Sequence, residues 1–301
     1  MASPDKPPST ATRLYQPPTI ALAIYPITLI VGSLFSVLSP TAQGTRDPPQ
    51  NHPTPLAPSI AADVNLPQHP VNYFARKDNV FNVYFVKIGW LWITAAFASL
   101  LFSQPSYTTS SSQQPRRVGQ ALARYSLATL VWYLTTQWSF GPAIIDRSFV
   151  MSGGKCEQII PQAEEGSASL HTLLTATACK SAGGAWKGGH DLSGHVFMLV
   201  LATAMLAFEA IGALRGAADI DHDSKKSDGD SESTGPRKWS IWFVGGVAGL
   251  SWWMLLMTAI WFHTWLEKLT GLLVALGAVY TIYILPRWVV LWRDIVGIPG
   301  V

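Results

Sequence analysis

The sequence predicts an all-α, polytopic membrane helical bundle of six transmembrane helices, and three observations predict it. Of 301 residues, 49% are hydrophobic and only 13% are charged, about half the charged share usual in soluble domains. The apolar residues gather into blocks of about 20, the length that crosses a hydrocarbon core. Of the 13 tryptophans, those near the ends of the blocks, such as Trp90, Trp138, Trp186, Trp239, Trp261, Trp265 and Trp288, read as an interfacial belt. A net charge of only +3, with basic residues scattered between the blocks, leaves no electrostatic footprint for nucleic acid.

Residues 1–19 contain Pro4, Pro7, Pro8, Pro17 and Pro18 and read as a disordered tail ahead of the first span, Ile20–Leu38. Residues 39–82 are again rich in proline and read as a long loop of low order. Val83–Phe102 and Ala121–Phe140 are spans two and three, and a second long loop, 141–192, holds both cysteines, Cys156 and Cys179. His195–Leu214, Ser240–Phe262 and Leu269–Leu285 complete a membrane domain over 20–290. Between spans four and five, the acid- and serine-rich stretch 216–238 reads as disordered, and 291–301 reads as a tail. Arg116, Arg117, Arg215, Arg237, Lys238 and Arg287 flank spans on one side. That bias places both termini in the cytoplasm and the two long loops on the opposite face. On an oxidising face Cys156 and Cys179 can pair, a closure contributing about 3 kcal/mol. Two free thiols are the alternative, and the spacing lacks the close CxxC of structural zinc.

The polar residues that carry chemistry cluster at that opposite face. Gly183-Gly184-Ala185-Trp186-Lys187-Gly188-Gly189-His190-Asp191-Leu192-Ser193-Gly194-His195 runs straight into the fourth span. Asp191 or Ser193 can cap that helix, leaving amide N–H groups to receive a phosphate. His195 falls in the first turn, where an imidazole can exchange a proton with a bound phosphate ester. The fifth span returns to the same face and ends in Trp261-Phe262-His263-Thr264-Trp265-Leu266-Glu267-Lys268. At i,i+4, Glu267 can hold the His263 ring in one tautomer, with the other nitrogen left to attack phosphorus. Each histidine could equally be a hydrated boundary residue. His190 is ambiguous, and Lys87 can either snorkel or contact phosphate.

On His190-Asp191-Leu192-Ser193-Gly194-His195-Val196-Phe197 and Trp261-Phe262-His263-Thr264-Trp265, the sequence resembles the fat storage-inducing transmembrane family in its fungal form, related to the lipid phosphate phosphatases. The resemblance implies an endoplasmic reticulum protein that supports lipid-droplet formation and cleaves the diphosphate of fatty acyl-CoA. The products would be acyl 4′-phosphopantetheine and adenosine 3′,5′-bisphosphate, with no cofactor and no metal. It implies catalytic roles for His195 as leaving-group acid, His263 as nucleophile and Glu267 as its orienting acid. Ser193, Gly194, Asp191, Lys187 and Lys87 are the implied substrate-binding set, with Arg147 and Lys268 as further sources of positive charge. Two features depart from the phosphatases: no Lys-x6-Arg-Pro signature occurs, and Met257 stands where an arginine precedes the nucleophile. A second functional class stays open, a non-catalytic protein that binds diacylglycerol or triacylglycerol and partitions neutral lipid into droplets.

Overall fold

The structure, a computed structural model, describes residues 19–42, 72–137, 143–158, 175–181, 184–190, 192–224 and 234–300. The described α-helices are α1 (Ile24–Leu38), α2 (Gly89–Ser103), α3 (Pro105–Thr108), α4 (Gln114–Thr136), α5 (Ile144–Met151), α6 (Ala176–Ser181), α7 (Gly194–Ser224), α8 (Thr234–Trp261), α9 (Trp265–Val279) and α10 (Val290–Val296). Two short strands, β1 (Lys155–Gln158) and β2 (Gly184–Lys187), pair antiparallel with Lys155 opposite Lys187.

The central element is α7, because its sequence is apolar all round and so has no face suited to water. Of its membrane-length window 83% is buried, against 28% for the segment containing α1, so α7 forms the core and α1 a wall. Val196, Phe197, Val200, Leu201, Met205 and Leu206 of α7 are all buried, and α2, α3, α4, α8 and α9 pack around them. The outer helices turn large apolar side chains outward, among them Ile24, Ile27, Ile30 and Leu34 of α1 and Leu266, Leu269 and Leu273 of α9. Exposure of such a row to water would forfeit about 1.5–3 kcal/mol per side chain. In hydrocarbon it costs nothing, which is the physical content of a membrane bundle.

Four segments are long and apolar enough to cross a membrane: Thr19–Leu38, Gly194–Ala218, Gly235–Trp261 and Trp265–Arg287. The other two predicted spans fall short for different reasons. With 15 residues α2 is about 22 Å long, less than the ~30 Å hydrocarbon core. Helix α4 has 23 residues but carries Gln114, Arg116, Arg117, Gln120 and Arg124, which lower its mean hydropathy. Regular structure also reaches into segments expected to lack it. Helix α7 runs on to Ser224, and Thr234 already opens α8, inside the acidic loop drawn as 216–238. Before α2, a 3-10 turn at Tyr73–Ala75 and a π-turn at Asn82–Val86 are held by Phe74, which stacks on Phe81 and meets Trp253 edge-on. Residues 291–301 are likewise no loose tail over their described part, since Val296 and Ile298 are buried.

Two close approaches fix the helix arrangement. A methyl group at Gly32 would collide with Ala259, so α1 and α8 meet backbone to backbone there. At the other contact, a β-carbon on Gly271 of α9 would lie 2.7 Å from the Ser193 carbonyl oxygen and 3.3 Å from Val196 Cβ. Gly271→Ala is therefore expected to cost about 1–3 kcal/mol by overpacking, read as a lower melting temperature in detergent. Gly277→Ala on the same helix, where a β-carbon meets nothing within 4 Å, is the matched control and should be neutral.

A buried ion cluster holds the far end of α7. The Arg124 guanidinium donates through Nε to Glu209 Oε1 (2.6 Å) and through Nη2 to Glu209 Oε2 (2.8 Å). Its Nη1 donates to the Val296 carbonyl (2.6 Å). The hydroxyls of Tyr107 and Tyr283 donate to the two Glu209 oxygens, each at 3.1 Å. The Arg124–Glu209 pair thus ties α3, α4, α7, the turn following α9 and the last residue of α10 into a single node.

Candidate active site

Both predicted histidines are delivered by helix ends, and the local sequence explains how. Ser193 caps α7: its Oγ accepts from the Val196 N–H (3.3 Å), and its own N–H donates to the Glu267 carbonyl (3.1 Å). The start of α7 is therefore stitched to the first turn of α9. Gly194 opens α7 and places His195 in its first turn. On the other side, α8 ends at Trp261, and Thr264 caps α9 through a capping box with Glu267. Between them His263 takes φ +61°, the only left-handed non-glycine residue among the described residues. That conformation costs a residue with a β-carbon about 1–2 kcal/mol. It turns the imidazole back toward α7.

The two rings lie with centroids 6.2 Å apart, tilted by 48°. His263 Nδ1 is 3.0 Å from Glu267 Oε2, and that same oxygen accepts from the Thr264 N–H (2.9 Å). A carboxylate oxygen that already accepts a backbone N–H is held in place and aimed, so it takes the Nδ1–H of the ring as an acceptor. The tautomer this selects leaves the basic lone pair on Nε2. His195 is oriented through a different partner, Asn82, whose Oδ1 is 3.3 Å from His195 Nε2. The Asn82 amide nitrogen is committed to the Lys77 carbonyl (2.6 Å), so its oxygen faces the ring and His195 donates from Nε2. Nδ1 is then the nitrogen of His195 that accepts. Lys77 and Lys87 both meet Asn82 through their backbones, which brings two cations to the neighbourhood of the His195 ring.

The remaining predicted residues divide. Lys87 is exposed at the end of the π-turn, with its N–H donating to the Asn82 carbonyl (2.9 Å). Lys187 lies in β2, and Asp191 lies outside the described residues. Arg147 is exposed on α5. Lys268 corrects an expectation. It is buried, and its ammonium donates to the Ala259 carbonyl (2.5 Å) and Ser33 Oγ (3.0 Å). A lysine that satisfies a carbonyl at the C-terminal end of α8 complements the negative end of that helix and points away from the solvent.

Cys156 and Cys179 are joined in a disulfide that links β1 to α6. The hairpin docks onto α5 through Phe149, against which Gly154 and Gly189 fit closely enough that neither could carry a β-carbon. His190 is a tether within this layer: its N–H donates to Ser152 Oγ (2.6 Å) and its Nε2 lies 3.2 Å from Thr270 Oγ1 on α9. Asp146 of α5 receives the Ala176 N–H (3.2 Å), while its burial lifts the carboxyl above the usual range. Among the described residues, no three His, Cys, Asp or Glu side chains are grouped to hold a metal.

Three contributors were not read from the sequence. Thr264 had a legible signal, since Thr264-x-x-Glu267 ahead of an apolar run is a capping box. Asn82 and Lys77 had none, because they sit at the edge of a proline-rich stretch with no periodicity to place them.

The family model for fat storage-inducing transmembrane protein matches residues 70–283. Acyl-coenzyme A diphosphatase fit1 of Schizosaccharomyces pombe is 34% identical over 200 residues, 66% of this chain and 68% of its own length. Acyl-coenzyme A diphosphatase FITM2 of Homo sapiens is 29% identical over 218 residues, 71% of this chain and 72% of its own. The FITM2 protein of Drosophila melanogaster is 28% identical over 240 residues, and the match spans 52% of that longer relative. No solved structure matches the chain.

Proposed function

This chain belongs to the fat storage-inducing transmembrane family, and from that premise we propose that it is a membrane-embedded fatty acyl-CoA diphosphatase with a histidine nucleophile. The observation that carries the reading is the pair of imidazoles 6.2 Å apart, each oriented by its own partner. Rings this close can serve the same diphosphate, one nitrogen directed at phosphorus and one at the leaving oxygen.

In the first step His263 Nε2 attacks one phosphorus of the diphosphate. The bridging P–O bond breaks, its electron pair stays on the departing phosphate oxygen, and His195, which enters the step as imidazolium with Nε2–H held by Asn82, gives its Nδ1 proton to that oxygen. In the second step water attacks the phosphohistidine, its proton passes to His195, and the P–N electron pair returns to His263. One water is consumed, giving acyl 4′-phosphopantetheine and adenosine 3′,5′-bisphosphate. Glu267 holds the nucleophile's tautomer and stabilises the positive ring as it forms. Lys77 and Lys87 supply charge to the diphosphate. Ser193, Gly194, Asp191 and Lys187 complete the substrate-binding set.

The bundle has six spans in this reading, with α2 and α4 crossing alongside the four longer segments. Its termini are cytoplasmic, and the histidines face the lumen of the endoplasmic reticulum, where the activity supports lipid-droplet formation. The bias of basic residues supports the orientation. A disulfide in a loop on the histidine side fits an oxidising compartment.

Purified full-length protein supplied with oleoyl-CoA and analysed by mass spectrometry should yield the two named products in equal amounts. Release of free coenzyme A, or binding of triacylglycerol without turnover, would overturn the assignment. Glu267→Gln is expected to lower kcat about 10²–10⁴-fold through the wrong His263 tautomer. The melting temperature should change little, because the amide oxygen still accepts from Thr264.

A further inference from the structure

We propose that a second cavity, at the opposite end of α7 from the histidines, binds a phosphate group. Glu209 lies fourteen residues beyond His195 and Gly216 seven further, about 21 and 32 Å along the helix. Around that end, Ser106, Arg117, Gln120 and Arg124 face Ile298 and Gly300 across a small cleft that opens to the surface.

Two atoms in this lining lack a partner among the described residues. Ser106 is 2% exposed, and its Oγ makes no hydrogen bond. Arg117 Nε is buried and makes none either. Buried polar atoms are nearly always satisfied, so two orphans on one cavity wall ask for a ligand. Both can donate, which selects an acceptor-only group.

The surrounding charges select its sign. Arg124 is neutralised by Glu209, and its last arm is taken by the Val296 carbonyl. Gln120 donates to the Asp294 carbonyl (3.3 Å), while the Asp294 carboxylate lies toward Arg116 (3.5 Å). Arg117 has no acid within salt-bridge distance among the described residues, so the cavity carries net positive charge. Arginine with a neighbouring hydroxyl is a donor set suited to phosphate, whose several oxygens can accept from both at once. The position at a bundle end, in the first turn of α4, puts it level with lipid headgroups. Close packing keeps Ser106 in place, since a β-carbon on Gly216 would come within 3.0 Å of Ser106 Cβ.

The shared chemistry is a phosphate monoester or inorganic phosphate, and the test separates the two sources. Full-length protein in phosphatidylcholine nanodiscs, with or without phosphatidic acid, is examined by native mass spectrometry for retained lipid. In detergent, its melting temperature is followed against inorganic phosphate, with acetate as control. Retained phosphatidic acid supports a headgroup ligand, and a shift with phosphate but not acetate supports the free anion. Arg117→Gln is expected to weaken either signal about tenfold or more, the loss of one charge-assisted bond. Ser106→Ala, a milder change, should weaken it severalfold. Size-exclusion elution checks that both variants are folded. No binding of either probe, equal response to acetate, or folded Arg117→Gln protein that binds like wild type would overturn the proposal.

Discussion

His263→Ala is expected to abolish turnover of oleoyl-CoA, lowering kcat by about three to four orders of magnitude, and to leave no phosphoenzyme on acid-free quenching. His195→Ala should lose about 10²–10⁴-fold yet still form some phosphohistidine, because leaving-group protonation and nucleophilic attack are separate duties. The contrast follows from the two orienting partners. Glu267 holds His263 with Nε2 as the basic nitrogen, while Asn82 takes the Nε2–H of His195 and leaves Nδ1 as the nitrogen that exchanges a proton. If either single variant kept a tenth of wild-type rate, or if phosphoenzyme accumulated on His263→Ala, the division of roles would be wrong.

The second large effect is on stability and lies far from the chemistry. Arg124→Ala or Glu209→Ala should each destabilise the bundle by about 3–5 kcal/mol, because each strands a charge that is 2% or less exposed. With total stabilities of about 5–15 kcal/mol, such variants should accumulate poorly and melt well below wild type. The joint replacement Arg124→Met with Glu209→Leu removes both charges and should cost less than either single change. It still leaves the hydroxyls of Tyr107 and Tyr283 without their acceptor. Equal melting temperatures for wild type and the single variants, by fluorescence-detected size exclusion after heating, would remove this node from the account of the fold.

The histidine pair was legible in the sequence because both residues sit where an apolar run meets polar punctuation: Ser193-Gly194 before one helix, Thr264 before another. The i,i+4 spacing of His263 and Glu267 carried over directly into the 3.0 Å contact. Helix existence was legible for the same reason. Four of the six expected spans are long and apolar enough to cross; α4 falls short of that measure because of its polar residues, among which the fold buries Arg124. Arg124 reads locally as a boundary charge, and only the approach of Glu209, 85 residues away, makes it interior. The hairpin was invisible since Lys155–Gln158 and Gly184–Lys187 show no alternation of polar and apolar residues, and their pairing depends on docking against Phe149. Lys268 misled for a related reason. Beside the histidine motif it looks like a ligand for phosphate, while in space it belongs to the carbonyl of Ala259.

The corner at His263 bears on how such a protein could be altered. Glycine would rest at φ +61° without penalty, so the backbone there would relax if the imidazole were surrendered. Its neighbours, the capped start of α9 on one side and the packed end of α8 on the other, keep the spring compressed. Selection for thermal hardiness alone would therefore favour discarding this side chain, and a protein that carries it trades robustness for aim.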